Sequence, residues 1–462
     1  MRLPLVGGAY KGRSVDASPE DCINLYADVA GERGSLVNVP GCVEFAQLPG
    51  TEVRGMHHMG GDVYAVCSSK LYKVKANGSY TDLGAIGTSS GIVKMADNGV
   101  SRGRQIAIAD GGPLKVYNLD TGVITNTGSA NTSNVAFLDG YFIFNEVGTE
   151  KFWWTSTYDG TTIDPLDFTQ EGSSADRLIS LFTDRKQLWL LGEETTGVWY
   201  NSGAAPPWTS FQGGLSQFGC AAKHSVARLG NTIAWLSRNE QGHAVPVRAE
   251  GYTPMSLVSS HPQVGYQMSQ YTTISDAFAY TYIYEGHGFY VLTFPTENVT
   301  WVYDASVDHW HQRAHIINST FPNRERYNCH CLAFEKHLVG DYNNGKIYEL
   351  NSSYHDMDGT IIPNQRTTTW NKDQEEDRIR IRSLQLSGEE GVGGTVYLSY
   401  SKNGGHTWSS DIETSFGVIG DYNHRAIWRK LGHGREWVFR IIRKANAKTV
   451  YTDLIAKEYG ET

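Results

Sequence analysis

Long apolar runs are missing from this chain of 462 residues. No stretch reaches the roughly 18 consecutive apolar residues of a membrane-spanning helix, so no membrane-spanning segment is expected. Residues 1–14 have no continuous apolar centre of the signal-peptide kind, and no cleaved leader is expected. Charge is sparse at 19 % of residues, which excludes a disordered, self-repelling chain. A basic excess is also missing. The formal net charge of −9 argues against broad nucleic-acid binding through a basic surface. An acidic wall instead suits a conduit that DNA passes without sticking. The six cysteines, Cys22, Cys42, Cys67, Cys220, Cys329 and Cys331, follow no disulfide framework. Free thiols in a protein assembled in a reducing cytoplasm are the expected state. Helical periodicity is nearly absent, and only residues 254–275 read as a short helix or long loop.

What the chain does have is glycine (50), tyrosine (26) and tryptophan (12), the composition of short strands joined by tight turns. Residues 289–313 show the unit most clearly. Tyr290, Leu292 and Phe294 alternate with Val291 and Thr293. After the turn Pro295-Thr296-Glu297-Asn298, Thr300, Val302 and Asp304 alternate with Trp301 and Tyr303. A second turn, Ala305-Ser306-Val307-Asp308, leads to Trp310. Alternation with period two marks half-buried strands, and a short polar turn between two of them marks an antiparallel hairpin. Similar hairpins follow one another from Asp62 to Leu350 at a spacing of roughly 35–50 residues, the range of propeller repeats. A lone hairpin is marginal, so the units must stack or close radially.

These patterns predict an all-β chain. An extended N-terminal arm covers residues 1–50, a β-propeller built from repeated hairpin blades covers 51–360, and a C-terminal β-sandwich-like domain covers 365–462. The acidic run Asp373-Gln374-Glu375-Glu376-Asp377 marks the linker. Beyond it Arg378-Ile379-Arg380-Ile381-Arg382 and Val396-Tyr397-Leu398-Ser399-Tyr400 alternate as strands.

Chemistry-bearing constellations are few. Ser401-Lys402-Asn403-Gly404-Gly405-His406-Thr407-Trp408 resembles the Asp-box turn of sialidase-like propellers, with Asn403 in the place of the aspartate. That motif is a fold element, explained by turn chemistry, but it keeps a glycan-binding or glycan-cleaving reading open. A glycosidase needs two carboxylates flanking one bond. Asp304, Glu285 and Glu297 are the candidates, against a default reading as turn carboxylates. His309, His311 and His315, with Cys329, His330, Cys331 and His337, form the densest group of metal-ligand types. Their spacing departs from that of structural zinc sites, and filling alternate strand positions is the competing reading. The basic stretch 425–448 reads either as a contact for nucleic acid or an acidic partner, or as a solvated strand face. No phosphate-cradling glycine loop and no nucleophile elbow occurs. No catalytic, cofactor-binding or metal-binding residue is therefore assigned, and no cofactor is expected.

Several landmarks, in order along the chain, resemble one family. They are Ile23-Asn24-Leu25-Tyr26 with Val39-Pro40-Gly41; Lys70-Leu71-Tyr72-Lys73; Trp301-Val302-Tyr303-Asp304-Ala305-Ser306 with Trp310; Gly340-Asp341 with Gly345-Lys346-Ile347-Tyr348; and Ile427-Trp428-Arg429-Lys430-Leu431-Gly432. The family is that of the packaged-DNA stabilisation proteins, also called tail accessory, tail hub or nozzle proteins, of short-tailed podovirus phages. The resemblance implies a non-enzymatic virion protein of the tail, assembled in the host cytoplasm. It implies a homo-oligomeric ring, a hexamer, below the portal and adaptor (head-to-tail connector) proteins. It implies contact with a tail needle or plug and with tailspike or fibre proteins, and packaged DNA passing through the ring. The arm before residue 50 is the candidate docking segment. The alternative is the sialidase-like propeller.

Overall fold

The structure, a computed structural model, describes residues 1–14, 18–29, 34–171, 176–317, 319–369 and 378–459. The acidic run at 373–377 lies outside the described residues. Residues 41–351 form seven four-stranded antiparallel blades. In the sixth, Phe278–Tyr284, His287–Phe294, Val299–Asp304 and His309–Ile317 pair in sequence order, with Leu292 opposite Trp301 and Tyr303 opposite Trp310. The turns follow from their residues. Asp139-Gly140 and Glu285-Gly286 each place two successive residues at positive φ (48° and 95°; 49° and 87°), the twist that closes a two-residue hairpin without splaying its strands.

The middle strands read as continuous apolar runs because both faces are covered. Ile106, Ala107, Ile108 and Ala109 are all buried, alternately against the blade before and the blade after. Seven hydrophobic clusters result, each joining neighbouring blades around the ring. The circle closes where Cys331, Ala333 and Leu338 of the last blade meet Val53, Val63 and Ala65 of the first.

The last blade takes three strands from residues 327–351 and its outer strand from the other end of the chain. Gly41–Gln47 pairs with Lys346–Asn351, setting Cys42 opposite Leu350. The single α-helix among the described residues, Pro262–Ser269, lies within the span expected for one. Proline at its start needs no N–H partner, and Val264 and Met268, four apart, bury one stripe.

A β-sandwich forms the rest. One sheet runs Leu25–Asp28, Ser35–Asn38, Val450–Tyr459, Ile379–Gly388, Ala426–Gly434, with Arg2–Leu3 also on Val450–Tyr459. The other runs Asp21–Ile23, Asn364–Thr367, Val438–Arg443, Thr395–Ser401, Ile412–Ser415. Asp21–Ile23 also pairs in parallel with the sixth blade, Ile23 opposite Gln312, so sheet and blade are continuous. The N-terminal residues are thus extended, yet they do not form a free docking arm. Leu3, Leu5, Ala9, Cys22, Leu25 and Ala27 are buried in one core with Trp301 and Trp310 of the propeller and Trp428 and Trp437 of the sandwich. The segment's backbone groups are satisfied by strands from elsewhere in the chain.

Candidate functional site

The residues singled out in the sequence are dispersed. Asp304 is buried, its Oδ2 2.6 Å from His287 Nδ1 and its Oδ1 accepting the Ser306 N–H at 2.9 Å, so it stitches a hairpin end. Glu297 accepts the N–H groups of Thr272 and Thr273 at 2.8 and 3.0 Å, and these bonds hold its carboxyl below the usual range. Glu285 occupies a tight turn. These positions brace turns and loops, which is the work of structural carboxylates.

The Asn403 turn is likewise structural, and it is tied to the rest of the sandwich by the Gly404 N–H donating to Glu436 O at 3.2 Å. Asn403 Oδ1 accepts from the Ser401 hydroxyl at 2.8 Å and from the Thr407 N–H at 3.0 Å, and Gly405 N–H donates to Ser401 Oγ at 2.9 Å. Trp408 packs under Arg440 at 3.8 Å rather than lining a cleft.

His330 and His337 sit on paired strands with Nε2 and Nδ1 3.0 Å apart, and burial pushes His330 down to about 3. His309, His311 and His315 lie on a different strand. His311 packs between Tyr26 and Phe289 and is pushed well below the ordinary range by burial. Burial also lowers His315 to about 4 and raises the Cys329 and Cys331 thiols to about 12. Neutral imidazoles and protonated thiols in these positions act as core filler. Among the described residues no group of three or more His, Cys, Asp or Glu is arranged to hold a metal.

The basic stretch divides. Arg443 is buried and donates to the carbonyls of Gly393 and Lys448. Lys430 and His433 face outward and, with Arg380 and Arg382 of the neighbouring strand, line an open cleft of about 600 Å³.

Two further features had no local signature. The first is a loop of the sandwich that presents Val418, Ile419 and Tyr422 to solvent, each more than two-thirds exposed. Backbone bonds tie it to the neighbouring loop: Gly420 N–H donates to Gly391 O at 3.0 Å, Asp421 N–H to Val418 O at 3.0 Å, and Val392 bridges Ile419. Exposed apolar side chains gathered on one loop make it a candidate contact surface.

The second is a cavity of about 430 Å³ at one end of the propeller axis. Glu52, Lys223, His224, Asp276, Arg324 and Asn328 line it. Each lies at the entry to an innermost strand: Val53–Met59, Ala227–Leu229, Phe278–Tyr284 or Tyr327–Ala333. Radial symmetry brings these entries together, whereas in sequence they are up to hundreds of residues apart. The only local hint was a polar residue just ahead of each apolar run.

Asp110 also lines the cavity, its Oδ1 accepting from Lys115 Nζ at 2.8 Å, and the other carboxylates there are engaged as well. Glu52 Oε1 accepts from Asn328 Nδ2 at 2.9 Å, and Asp276 Oδ2 accepts from Thr296 N–H and Oγ1 at 2.9 and 2.7 Å. Burial raises Glu52 above its ordinary value and pushes His224 well below.

A family model described as "Bacteriophage P22 Gp10, beta-propeller" matches residues 1–355. A second, "Bacteriophage P22 Gp10, beta-sandwich", matches residues 365–457. No curated protein matches the chain. Similar solved structures include the computationally designed Ika8 protein, 9 % identical over 67 % of this chain and 99 % of that one, with a TM-score of 0.43. PorZ of the type-IX secretion system of Porphyromonas gingivalis is 12 % identical over 80 % of this chain and 46 % of its own, TM-score 0.41. The N-terminal domain of Nup159 is 8 % identical over 71 % and 98 %, TM-score 0.43.

Proposed function

Because the chain belongs to the bacteriophage P22 Gp10 family, and so is a structural protein of a short phage tail, we propose that it closes the DNA-filled head as an oligomeric ring. The ring sits below the portal and adaptor proteins, retains packaged DNA and forms part of the ejection channel. It offers its far side to a tail needle or plug and to tailspike or fibre proteins. The observation that carries this reading is the ordered match of both family models along the chain, 1–355 and 365–457. For assembly we divide the chain into the arm 1–50, the propeller 51–360 and the sandwich 365–462, with the arm acting as the clasp between the other two.

Physical features support the role. The net charge of −9 weakens adhesion of DNA to a channel wall, with a reach of about 8 Å at physiological salt. The carboxylates, histidines and cysteines that chemistry would need are spent on turns and core. Among the described residues no helix is long and apolar enough to cross a membrane. A ring that must form only on a packaged head needs weak self-contacts, strengthened when a template presents several sites at once. The exposed, apolar Val418, Ile419 and Tyr422 support such a contact with a neighbouring copy.

Heads made without this protein should package DNA and then lose it, and added purified protein should restore retention. Ile419→Asp should leave the monomer's thermal unfolding unchanged but reduce ring formation on heads at least tenfold. Depleted heads that keep their DNA and infect normally would sink the retention role. Unchanged ring formation by the variant would remove only the loop from the interface.

A further inference from the structure

The sandwich runs against the charge of the rest of the chain. Residues 378–459 carry 13 Arg and Lys against 8 Asp and Glu, in a chain that has 40 against 49. Part of that excess is gathered in the open cleft of about 600 Å³ lined by Arg380, Ile381, Arg382, Lys430, Gly432 and His433. Its described lining holds three permanent cations, one imidazole and no carboxylate.

The backbone builds this crowding. Ile379–Gly388 pairs with Ala426–Gly434, setting Arg380 opposite His433 and Ile381 opposite Gly432. The ladder then slips. Arg382 stands as an extra residue against Val450–Tyr459, and Lys430 and Leu431 together face it from Ala426–Gly434. Bulges of this kind re-aim side chains and recur beside functional sites. Lys430 takes φ 63°, a left-handed conformation uncommon for a residue with a side chain. Arg429 and Lys430, consecutive on one strand, are therefore both exposed, as are Arg380 and Arg382. Strict alternation would have turned Arg429 and Lys430 to opposite faces. Residues two apart on a strand lie about 6.6 Å apart, and paired strands about 4.8 Å, so these cations sit within a Debye length of one another. Elsewhere exposed cations are balanced in place, Lys70 by Asp82 at 2.7 Å and Arg104 by Asp120 at 2.6 Å. Among the described residues neither Arg380 nor Lys430 has such a partner. Like charges held together repel, and a ligand that brings negative charge relieves the repulsion.

The kind of anion follows from what the cleft lacks. A protein partner is held by apolar and aromatic anchors at the centre of the contact, and a single nucleic-acid strand by aromatic platforms. Ile381 is the one large apolar residue of the lining and is 1 % exposed, and no Trp, Tyr or Phe lines the cleft. Charge alone is on offer, partly as guanidinium forks that match phosphate oxygens. Attraction to phosphates without base contacts is how proteins hold the backbone of a duplex. The net charge of −9 does not cancel the cleft, because exposed charges more than about 8 Å away are screened at physiological salt.

We propose that this cleft of the sandwich binds the phosphate backbone of double-stranded DNA, with Arg380, Arg382 and Lys430 as its cations. The proposal does not rest on the tail reading.

The test is fluorescence anisotropy of a short labelled duplex titrated with the purified full chain at pH 7 over a range of salt concentrations. The logarithm of the binding constant should fall linearly with the logarithm of salt, with a slope of about −3 for about three phosphates neutralised. Arg380→Gln combined with Lys430→Gln should weaken binding at least tenfold and bring the slope to about −1, with thermal unfolding unchanged. Lys75→Gln combined with Lys186→Gln removes the same charge from exposed positions of the propeller and should leave binding within twofold. Poly-glutamate at equal charge should compete at least tenfold less well than unlabelled duplex, and a single strand of the same length should bind more weakly. The proposal is overturned by absence of salt-dependent duplex binding, by unchanged binding in the cleft variant, or by an equal loss in the propeller variant. Poly-glutamate competing as well as duplex would assign the cleft to an acidic protein instead, and tighter binding of the single strand would also overturn it. None of these results touches the tail role.

Discussion

At the residue scale, tryptophans and histidines hold the blades by being out of water. Trp310 is fully buried against Trp301 and Tyr303, and its indole N–H donates to Leu257 O at 3.0 Å. Trp310→Ala should therefore lower stability by about 3–5 kcal/mol in denaturant unfolding, and a loss below about 1 kcal/mol would mean the cluster is not a keystone. The imidazoles make a pH prediction. His315, buried with Nδ1 2.8 Å from Arg324 O, is pushed down to about 4, His330 to about 3, and His224 and His311 well below their ordinary value. In the unfolded chain each titrates near 6.5, so as pH falls the unfolded state takes up protons first. The stability is fully present above about 6.5 and is lost as pH falls towards 4 and 3. His315 alone should remove about 2 kcal/mol between pH 7 and pH 5. Unfolding free energies at the two pH values check this, and His315→Gln should flatten the difference.

At the element scale, the N-terminal segment clasps propeller to sandwich through a few buried polar groups. Asn24, at φ 58°, donates from Nδ2 to Ala314 O at 2.6 Å and to Pro363 O at 2.8 Å, and accepts the Ala314 N–H at 2.9 Å. Asparagine tolerates that left-handed backbone better than most residues with a side chain. Arg366 reaches the segment from the sandwich, donating to Leu5 O, Gly8 O and Glu20 Oε1 at 2.8, 2.7 and 2.9 Å. Asn24→Ala leaves these carbonyls and an amide unmatched in the interior. It should destabilise by about 1–3 kcal/mol for the orphaned groups, read by equilibrium unfolding. Native-state hydrogen exchange should speed up in 309–317 and 364–367 together, since both rest on this residue. An effect confined to the first thirty residues would show that the clasp is not shared.

At the scale of the whole molecule, the ring of blades is closed by strands far apart in the chain. The Gly41–Gln47 strand covers the outer edge of the last blade, and without it Lys346–Asn351 would present unpaired backbone. A chain spanning 51–360 should therefore be less stable and more prone to associate than one spanning 39–362. Thermal unfolding and light scattering of the two compare them directly. Equal behaviour would mean that the closing strand is dispensable.

The sequence by itself was enough for everything local. Alternation located the hairpins from Asp62 to Leu350, positive-φ turn residues located their corners, and the end-to-end landmarks pointed to the family. Trp310 announced its buried place because a large aromatic at an inward strand position has nowhere else to go. Tertiary structure alone decided which strand closes the ring, that the sandwich is built from both ends of the chain, and that Glu52, His224, Asp276 and Arg324 line one cavity. Pairing across hundreds of residues depends on edge geometry and shape, which leave no periodic mark, and a radial site gathers one residue from each repeat. In sequence such residues look like ordinary polar positions ahead of a strand. Only the closing of the circle makes them neighbours.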